Sequence, residues 1–314
     1  MDKIGNNKEL RSFFYDFFGE EATENLLLFW DKIDQKTTIR VNTLKISKKE
    51  LAKRLNDKGF LTEELDFYED ALKIIEKPYE IGKTLEHFLG YFYVQSTSSM
   101  LPPLVLDPRP YEAVLDIAAA PGSKTTQMAQ MMKNKGFILA NDISYDRIKA
   151  LSSNVDRLGT VNVIITMTEG HRISFKYPDT FDKVLLDAPC SALGTMYKSD
   201  DLRKWWSYDK INKLTRVQKG LILAGFRALK PGGVMVYSTC TFVPEENEKI
   251  VDFLLKREER ADIVDINIKR YEGFREGLTE WHKEVFDERL KKTLRVMPSS
   301  LFPEGFYIAK IKKT

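Results

Sequence analysis

Apolar residues recur at helical spacing through the first thirty or so positions, with Phe13, Phe14, Phe17, Phe18, Leu26, Leu27, Phe29 and Trp30 on one face, which predicts amphipathic helix. The period changes at Thr37. Thr38 to Leu44 reads as a strand, and Ser47 three residues before Glu50 forms a capping box that opens a helix ending near Lys58-Gly59. Short strands are expected near Leu65 and from Leu72 to Ile75, giving a small β-α-β-β module. From about Tyr111, strand and helix alternate. The pattern predicts strands at Val114–Ala118, Phe137–Ile143, Asn162–Met167, Lys183–Asp187 and Val234–Ser238, with apolar segments at Asp262–Ile266 and Phe306–Ile311 closing one edge. The intervening helices are expected at Lys124–Lys133, Tyr145–Leu158, Asp209–Leu229 and Glu245–Lys256. Such alternation specifies an α/β fold: a mostly parallel seven-stranded sheet with helices on both faces over residues 111–314, behind a smaller α+β unit over residues 1–110.

Composition excludes more than it specifies. Of 314 residues, 43% are apolar and 30% charged, the make-up of an ordinary globular chain. Met1 to Asn6 holds no apolar leader core. The longest charge-free run, Phe88 to Leu106, is interrupted by Gln95, Ser96, Thr97, Ser98, Ser99 and the Pro102-Pro103 pair, so no membrane span is expected. Two cysteines make neither a disulfide framework nor a zinc site, and His171 and His282 stand alone, so no metal is expected. A cytoplasmic, soluble monomer is the resulting expectation.

The loop after the first strand of the large sheet reads Asp116-Ile117-Ala118-Ala119-Ala120-Pro121-Gly122-Ser123-Lys124. Small residues between a strand end and a helix start let a ligand approach the backbone at the carboxyl edge. A phosphate-binding loop needs an earlier glycine and Gly-Lys in sequence, and a dinucleotide fingerprint needs three spaced glycines; neither is present. A cofactor without a pyrophosphate fits better, and S-adenosylmethionine is such a cofactor. Asp142, twenty residues past Gly122, places a carboxylate at the second strand end, where it can accept both ribose hydroxyls. The structural alternative is that Asp142 caps the next helix, that Asp116 steadies the turn and that Lys124 is a solvated lysine.

Both cysteines end sheet strands: Asp187-Ala188-Pro189-Cys190-Ser191 finishes one, Ser238-Thr239-Cys240-Thr241 the next. Two structural cysteines would be the ordinary reading. Adjacent parallel strands, however, would bring both thiols to the cofactor edge. Methylation of a weakly nucleophilic carbon needs such thiols. The C5 atom of a pyrimidine attacks a methyl sulfonium only after a thiolate has added at C6, and loss of the C5 proton then expels the sulfur. A carboxylic acid at the N3 and exocyclic amino edge favours the addition, a role for Asp187 if burial keeps it protonated.

With Arg40-Val41-Asn42-Thr43, Tyr93-Val94-Gln95, the loop Ala118–Lys124, Asp187–Ser191, Ser238–Thr241 and Pro303–Ala309 in place, the chain resembles the Nop/Sun family of RNA cytosine-5 methyltransferases, most closely its archaeal transfer-RNA branch. The resemblance implies a Rossmann-like S-adenosylmethionine-dependent methyltransferase domain. It implies Cys240 as nucleophile, Cys190 in release of the methylated product, and cofactor contacts from Ala118, Ala119, Ala120, Pro121, Gly122, Ser123, Lys124, Asp142, Arg147, Glu169 and Asp187. Two positions depart from the family pattern: Glu169 stands where the third-strand acid is usually Asp, and Ser96 where an acid often follows Gln. A small accessory protein assists some archaeal relatives.

Charge adds a candidate RNA surface. The net of +3 divides into −4 over residues 1–113 and +7 beyond, and Lys198 to Lys230 holds nine basic residues against three acids, interleaved with Tyr197, Trp205, Trp206 and Tyr208. Phosphate neutralisation beside aromatic faces suits an unstacked RNA strand, and a target base must leave its stack to reach the cysteines. The competing reading is a solvated helix face whose tryptophans pack inward. Arg40, Lys45, Lys48, Lys49, Lys53 and Arg54 form a second candidate surface. Transfer RNA is the expected partner. Ribosomal RNA, or a non-catalytic RNA-binding assembly role on the same fold, are the alternatives.

Overall fold

The computed structural model describes residues 4, 7–33 and 36–314, so the stretch read for a leader lies, Ile4 apart, outside the described residues. The strands in chain order are β1 Thr38–Val41, β2 Leu61–Glu64, β3 Ala71–Glu76, β4 Phe92–Val94, β5 Ala113–Asp116, β6 Phe137–Asp142, β7 Val163–Met167, β8 Phe181–Asp187, β9 Leu229–Thr239, β10 Ala261–Ile263, β11 Phe274–Glu276, β12 Glu280–Trp281, β13 Glu284–Val285, β14 Leu294–Val296 and β15 Phe306–Lys313.

The small sheet is antiparallel in the order β2-β3-β1-β4. Helix Lys48–Asn56 packs on it through Leu51 and Leu55, and Ser47 Oγ accepts from the Glu50 backbone N–H, the cap its spacing predicts.

The large sheet runs β11-β14-β15-β9-β8-β5-β6-β7. β7, β6, β5, β8 and β9 are mutually parallel, whereas β15 runs antiparallel to β9. β14 pairs with the first half of β15 and β10 with the second. The sheet therefore holds nine described strands rather than seven. β11 and β14 have only three residues each, too few for a period-two pattern to stand out. Apolar clusters cover both faces, one around Leu115, Leu186 and Tyr237, the other around Val114, Leu185 and Val236. Alternate residues of each strand thus feed opposite cores. Among the described residues no helix is long and apolar enough to cross a membrane.

The N-terminal apolar stripe forms two helices, Lys8–Phe18 and Glu20–Lys32, broken at Gly19, whose φ of 81° favours glycine. They do not cover the small sheet. Phe13, Phe14 and Trp30 pack on Leu193, Met196, Trp206 and Phe242, beside the two cysteine turns, and Trp30 Nε1 donates to the Pro303 carbonyl at 3.0 Å.

Arg40 corrects the second surface expectation. Its side chain is 1% exposed. The guanidinium donates to Gln95 Oε1 (3.0 Å), Gln130 Oε1 (2.5 Å) and Thr126 Oγ1 (2.8 Å), stitching β1 to the helix Ser123–Met131 that follows β5. Burial draws its pKa down to about 10. Lys45 is likewise tied to the carbonyls of Leu89 and Arg157, and Lys48 pairs with Glu64.

Candidate active site

The strand order reverses at β5, which lies between β8 and β6, and the carboxyl edge there is where ligands of such folds bind. β5 feeds the loop 117–122 and helix Ser123–Met131. Gly122 has φ 102°, and a Cβ there would meet Leu151 Cδ1 at 2.9 Å. Loop geometry and close helix packing therefore require the glycine, whatever ligand approaches.

Asp142 ends β6 with 2% of its side chain exposed. One oxygen accepts from the Ala120 N–H at 3.3 Å and faces Arg147 at 3.4 Å; the other accepts from the Ser144 N–H at 3.1 Å. Arg147 also donates to the Ala120 carbonyl, and Asn154 to that of Pro121. The loop, Asp142 and Arg147 thus form one unit; the helix cap that the structural alternative assigned to Asp142 is made instead by Ser144, whose Oγ accepts from the Arg147 N–H at 3.4 Å. Ile143 beside it is 66% exposed, an apolar face open at the same edge. Glu169 is half exposed and faces His171 (3.5 Å) and Arg172 (3.7 Å) of its own turn.

Asp116 is fully buried. Thr125 Oγ1 donates to its Oδ2 at 2.7 Å, while Oδ1 has no partner. Desolvation pushes its pKa up to about 7 against the Thr125 bond, with the charges of Asp187 and Asp142 adding to the rise. Lys124 is no solvated lysine. Its ammonium lies 2.6 Å from Asp187 Oδ2 with 10% of the side chain exposed. Burial works against its charge, but the Asp187 charge and hydrogen bond outweigh that and raise its pKa. Asp187 is not sealed in the fold as the sequence reading required of a buried acid. It is 31% exposed, and Ser238 Oγ donates to its other oxygen at 2.7 Å.

The two cysteine turns meet. β8 and β9 are adjacent and parallel, with Asp187 opposite Ser238, and the Cys190 and Cys240 sulfurs lie 3.4 Å apart as free, partly exposed thiols. The hydrogen bond with Cys240 comes first in pushing the Cys190 thiol well above its ordinary range; burial follows, then the charges of Cys240 and Glu246. Among the described residues no cluster is suited to hold a metal.

Sequence reasoning missed the residues that hold these turns. Glu246, wholly buried, accepts from the Ser191 N–H (2.9 Å), Ser191 Oγ (2.5 Å) and Gln218 Nε2 (3.0 Å). Ser191 Oγ in turn lies 2.8 Å from Thr241 Oγ1. Asn247 accepts from Thr239 Oγ1 and donates to the Thr241 carbonyl, bracketing Cys240. The available signal was Glu245-Glu246-Asn247, read as the start of a helix. The helix begins at Glu248, after a 3-10 turn, Pro244–Glu246.

The basic-aromatic run divides. Trp206 is 1% exposed against Phe13, and Tyr197 stacks on Trp30 at 5.4 Å, so both pack inward. Trp205 is 39% exposed with the Lys210 ammonium 4.8 Å from its ring. Lys198, Lys213, Arg227 and Lys230 are paired with Glu304, Asp209, Glu258 and Asp182.

Fold and site together define a methyltransferase: a mostly parallel sheet with a small-residue loop at its switch point and two thiols at neighbouring strand ends. The family model for the 16S rRNA methyltransferases RsmB/F matches residues 103–312, and the ferredoxin-like domain model of the same enzymes matches residues 18–81. The chain belongs to the RsmB/F methyltransferase family. A tRNA (cytosine(49)-C(5))-methyltransferase of Pyrococcus abyssi is 44% identical over 279 residues, 88% of each chain. The ribosomal RNA small subunit methyltransferase F of Shewanella amazonensis is 41% identical, over 88% of this chain but 58% of its own length. Among solved structures, a methyltransferase homologue from Pyrococcus horikoshii has a TM-score of 0.85 at 35% identity, covering 99% of this chain and 97% of that one. NSun6 from the same organism, solved with SFG, has a TM-score of 0.82 at 25% identity, covering 98% of each.

Proposed function

We propose that this protein forms 5-methylcytosine in RNA, transfer RNA first among substrates, through a covalent bond between a cysteine and C6 of the base. The observation that carries the reading is the pair of thiols 3.4 Å apart beside Asp187. Neither a structural cysteine pair nor a non-catalytic RNA-binding factor needs free thiols at that edge. The preference for transfer RNA rests on the Pyrococcus abyssi relative, matched over 88% of both chains. Ribosomal RNA is the second reading, supported by the family description and by relatives of which this chain spans little more than half.

The residues fit S-adenosylmethionine. The carboxyl edge offers a loop of small residues, the exposed apolar Ile143 next to Asp142, and a buried Asp116 oxygen with no partner. Ala118 to Lys124, Asp142, Arg147, Glu169 and Asp187 would hold the cofactor, which supplies an electrophilic methyl group. In this reading Cys240 adds to C6 of the cytosine and makes C5 nucleophilic; after methylation the C5 proton is lost to solvent and the Cys240 sulfur is expelled, a release that Cys190 assists. Asp187, fixed by Lys124 and Ser238, hydrogen-bonds the polar edge of the base. The module before residue 110 and the exposed Trp205 with Lys210 are the proposed RNA contacts.

Bisulfite sequencing of RNA treated with the protein and S-adenosylmethionine tests activity and position together. New protected cytosines in transfer RNA are expected. Protection confined to ribosomal RNA would replace the substrate, and none in either would overturn the reading.

A further inference from the structure

Glu246 is a buried carboxylate that the chemistry above does not use. It has no exposed surface, so it touches no substrate. Its partners are uncharged: Ser191 through both N–H and hydroxyl, and Gln218 Nε2 at its carboxylate, with Tyr237 Oη donating to its carbonyl at 2.5 Å. Ser191 follows Cys190, and its hydroxyl bonds Thr241, which follows Cys240. Through that relay one side chain joins the two turns whose sulfurs meet at 3.4 Å.

We propose that Glu246 is the positioning residue that clamps the Cys190 and Cys240 turns into one unit. The inference rests on the cytosine-5 reading above. Geometry carries it: a carboxylate accepting three hydrogen bonds cannot release Ser191 without losing all but one of them. Charge adds a consequence for Cys190, smaller than those of its contact with Cys240 and of burial. The groups that bear on Cys190 are Cys240, against it, and Glu246, beneath it. Opposite, Asp187 is neutralised by Lys124; on the following helix Glu248 is neutralised by Arg295. Glu246 alone in this set lacks a cation. Burial pushes its own pKa up to about 7, which its bonds to Ser191 and Gln218 oppose. It is therefore ionised throughout the alkaline range where Cys190 titrates, and its field disfavours a second anion there.

In the step that expels the Cys240 sulfur the C5 proton passes to solvent, and a thiol at Cys190, 3.4 Å away, can hydrogen-bond the departing sulfur without taking that proton. Clamped turns keep Cys190 in place for that step, so loosening them slows release more than addition. Because Glu246 is sealed from solvent, its loss should lower kcat and leave KM for RNA within about twofold.

Two measurements on the full chain test this. In the first, alkylation of Cys190 by iodoacetamide is followed against pH by mass spectrometry in the Cys240→Ser background. Glu246→Gln keeps the volume and an acceptor for Ser191, and should move the alkylation midpoint down by about one pH unit, a tenfold change in thiolate fraction at fixed pH. An unmoved midpoint in a folded variant overturns the charge role. This readout needs no RNA and no turnover, so it stands or falls separately from the activity itself. In the second, the denaturation-resistant protein–RNA adduct is timed with Cys240 intact. Glu246→Gln and Ser191→Ala should each lengthen its lifetime about tenfold. Lifetimes equal to wild type in both, with thermal melting unchanged, overturn the clamp; Ser191→Ala decides the clamp if the glutamine variant does not fold.

Discussion

The sulfurs of Cys190 and Cys240, fifty positions apart in the chain, are 3.4 Å from one another because β8 and β9 are parallel neighbours in register. That proximity makes their roles separable by mutation. Cys240→Ala should reduce turnover below detection. Cys190→Ala should leave a protein–RNA adduct visible as a shifted band after denaturing electrophoresis. An adduct formed by the Cys240 variant alone would reverse the two roles.

Lys124 and Asp187 form the ion pair at the floor of the site. Removing one partner of a largely buried pair leaves the other charge uncompensated, a cost of about 3 kcal/mol when burial is complete and less here because Asp187 is 31% exposed. Lys124→Met should therefore lower stability by about 1–2 kcal/mol in urea titration. It should weaken S-adenosylmethionine binding in calorimetry by more than Arg147→Met does, since Arg147 is half exposed.

Asp116 makes stability fall with pH. Its carboxyl binds a proton more tightly folded, near pH 7, than unfolded, near the ordinary carboxylate value of about 4. Between those values the native state holds more protons than the unfolded state, so raising pH costs stability there and nothing further above about 7. Asp116→Asn keeps an acceptor for Thr125 and has no such dependence. Unfolding titrations at pH 5 and pH 8 should show wild type losing on the order of 1–3 kcal/mol more than the variant.

Arg40 joins the small sheet to the helix Ser123–Met131 after β5. Arg40→Met should destabilise the protein by about 3 kcal/mol or more, because Gln95, Gln130 and Thr126 lose a charged donor inside the fold. Cofactor affinity should fall with it, checked by calorimetry at a temperature where the variant remains folded. Unchanged affinity would show that the loop holds its shape without the small sheet.

The regular part of the fold was legible because long parallel strands and helices such as Tyr145–Leu158 carry many repeats of their period. The three-residue strands β11 and β14 carry almost none. The thiols could be placed at one edge because each ends a strand, and strand ends of a parallel sheet share an edge. What Arg40, Glu246 and Trp206 do could not be read that way. Arg40 and Trp206 fell within candidate RNA surfaces and Glu246 within an expected helix start, and only tertiary contacts reveal an arginine stitched between sheets, a glutamate beneath two turns and which tryptophan packs inward. The Lys124–Asp187 pair joins positions far apart in sequence and left no local pattern.

β9 carries Cys240 at its end, and its neighbour opposite β8 is β15, residues 306–313. During synthesis the strand bearing that thiol has an open hydrogen-bonding edge until those late residues emerge. Lys313 then locks the closure, its ammonium buried against Asp179 and the Leu229 carbonyl at the start of β9. The turn that carries Cys240 thus gains its second hydrogen-bonded neighbour only once residues 306–313 are made, well after both cysteines have entered the nascent chain.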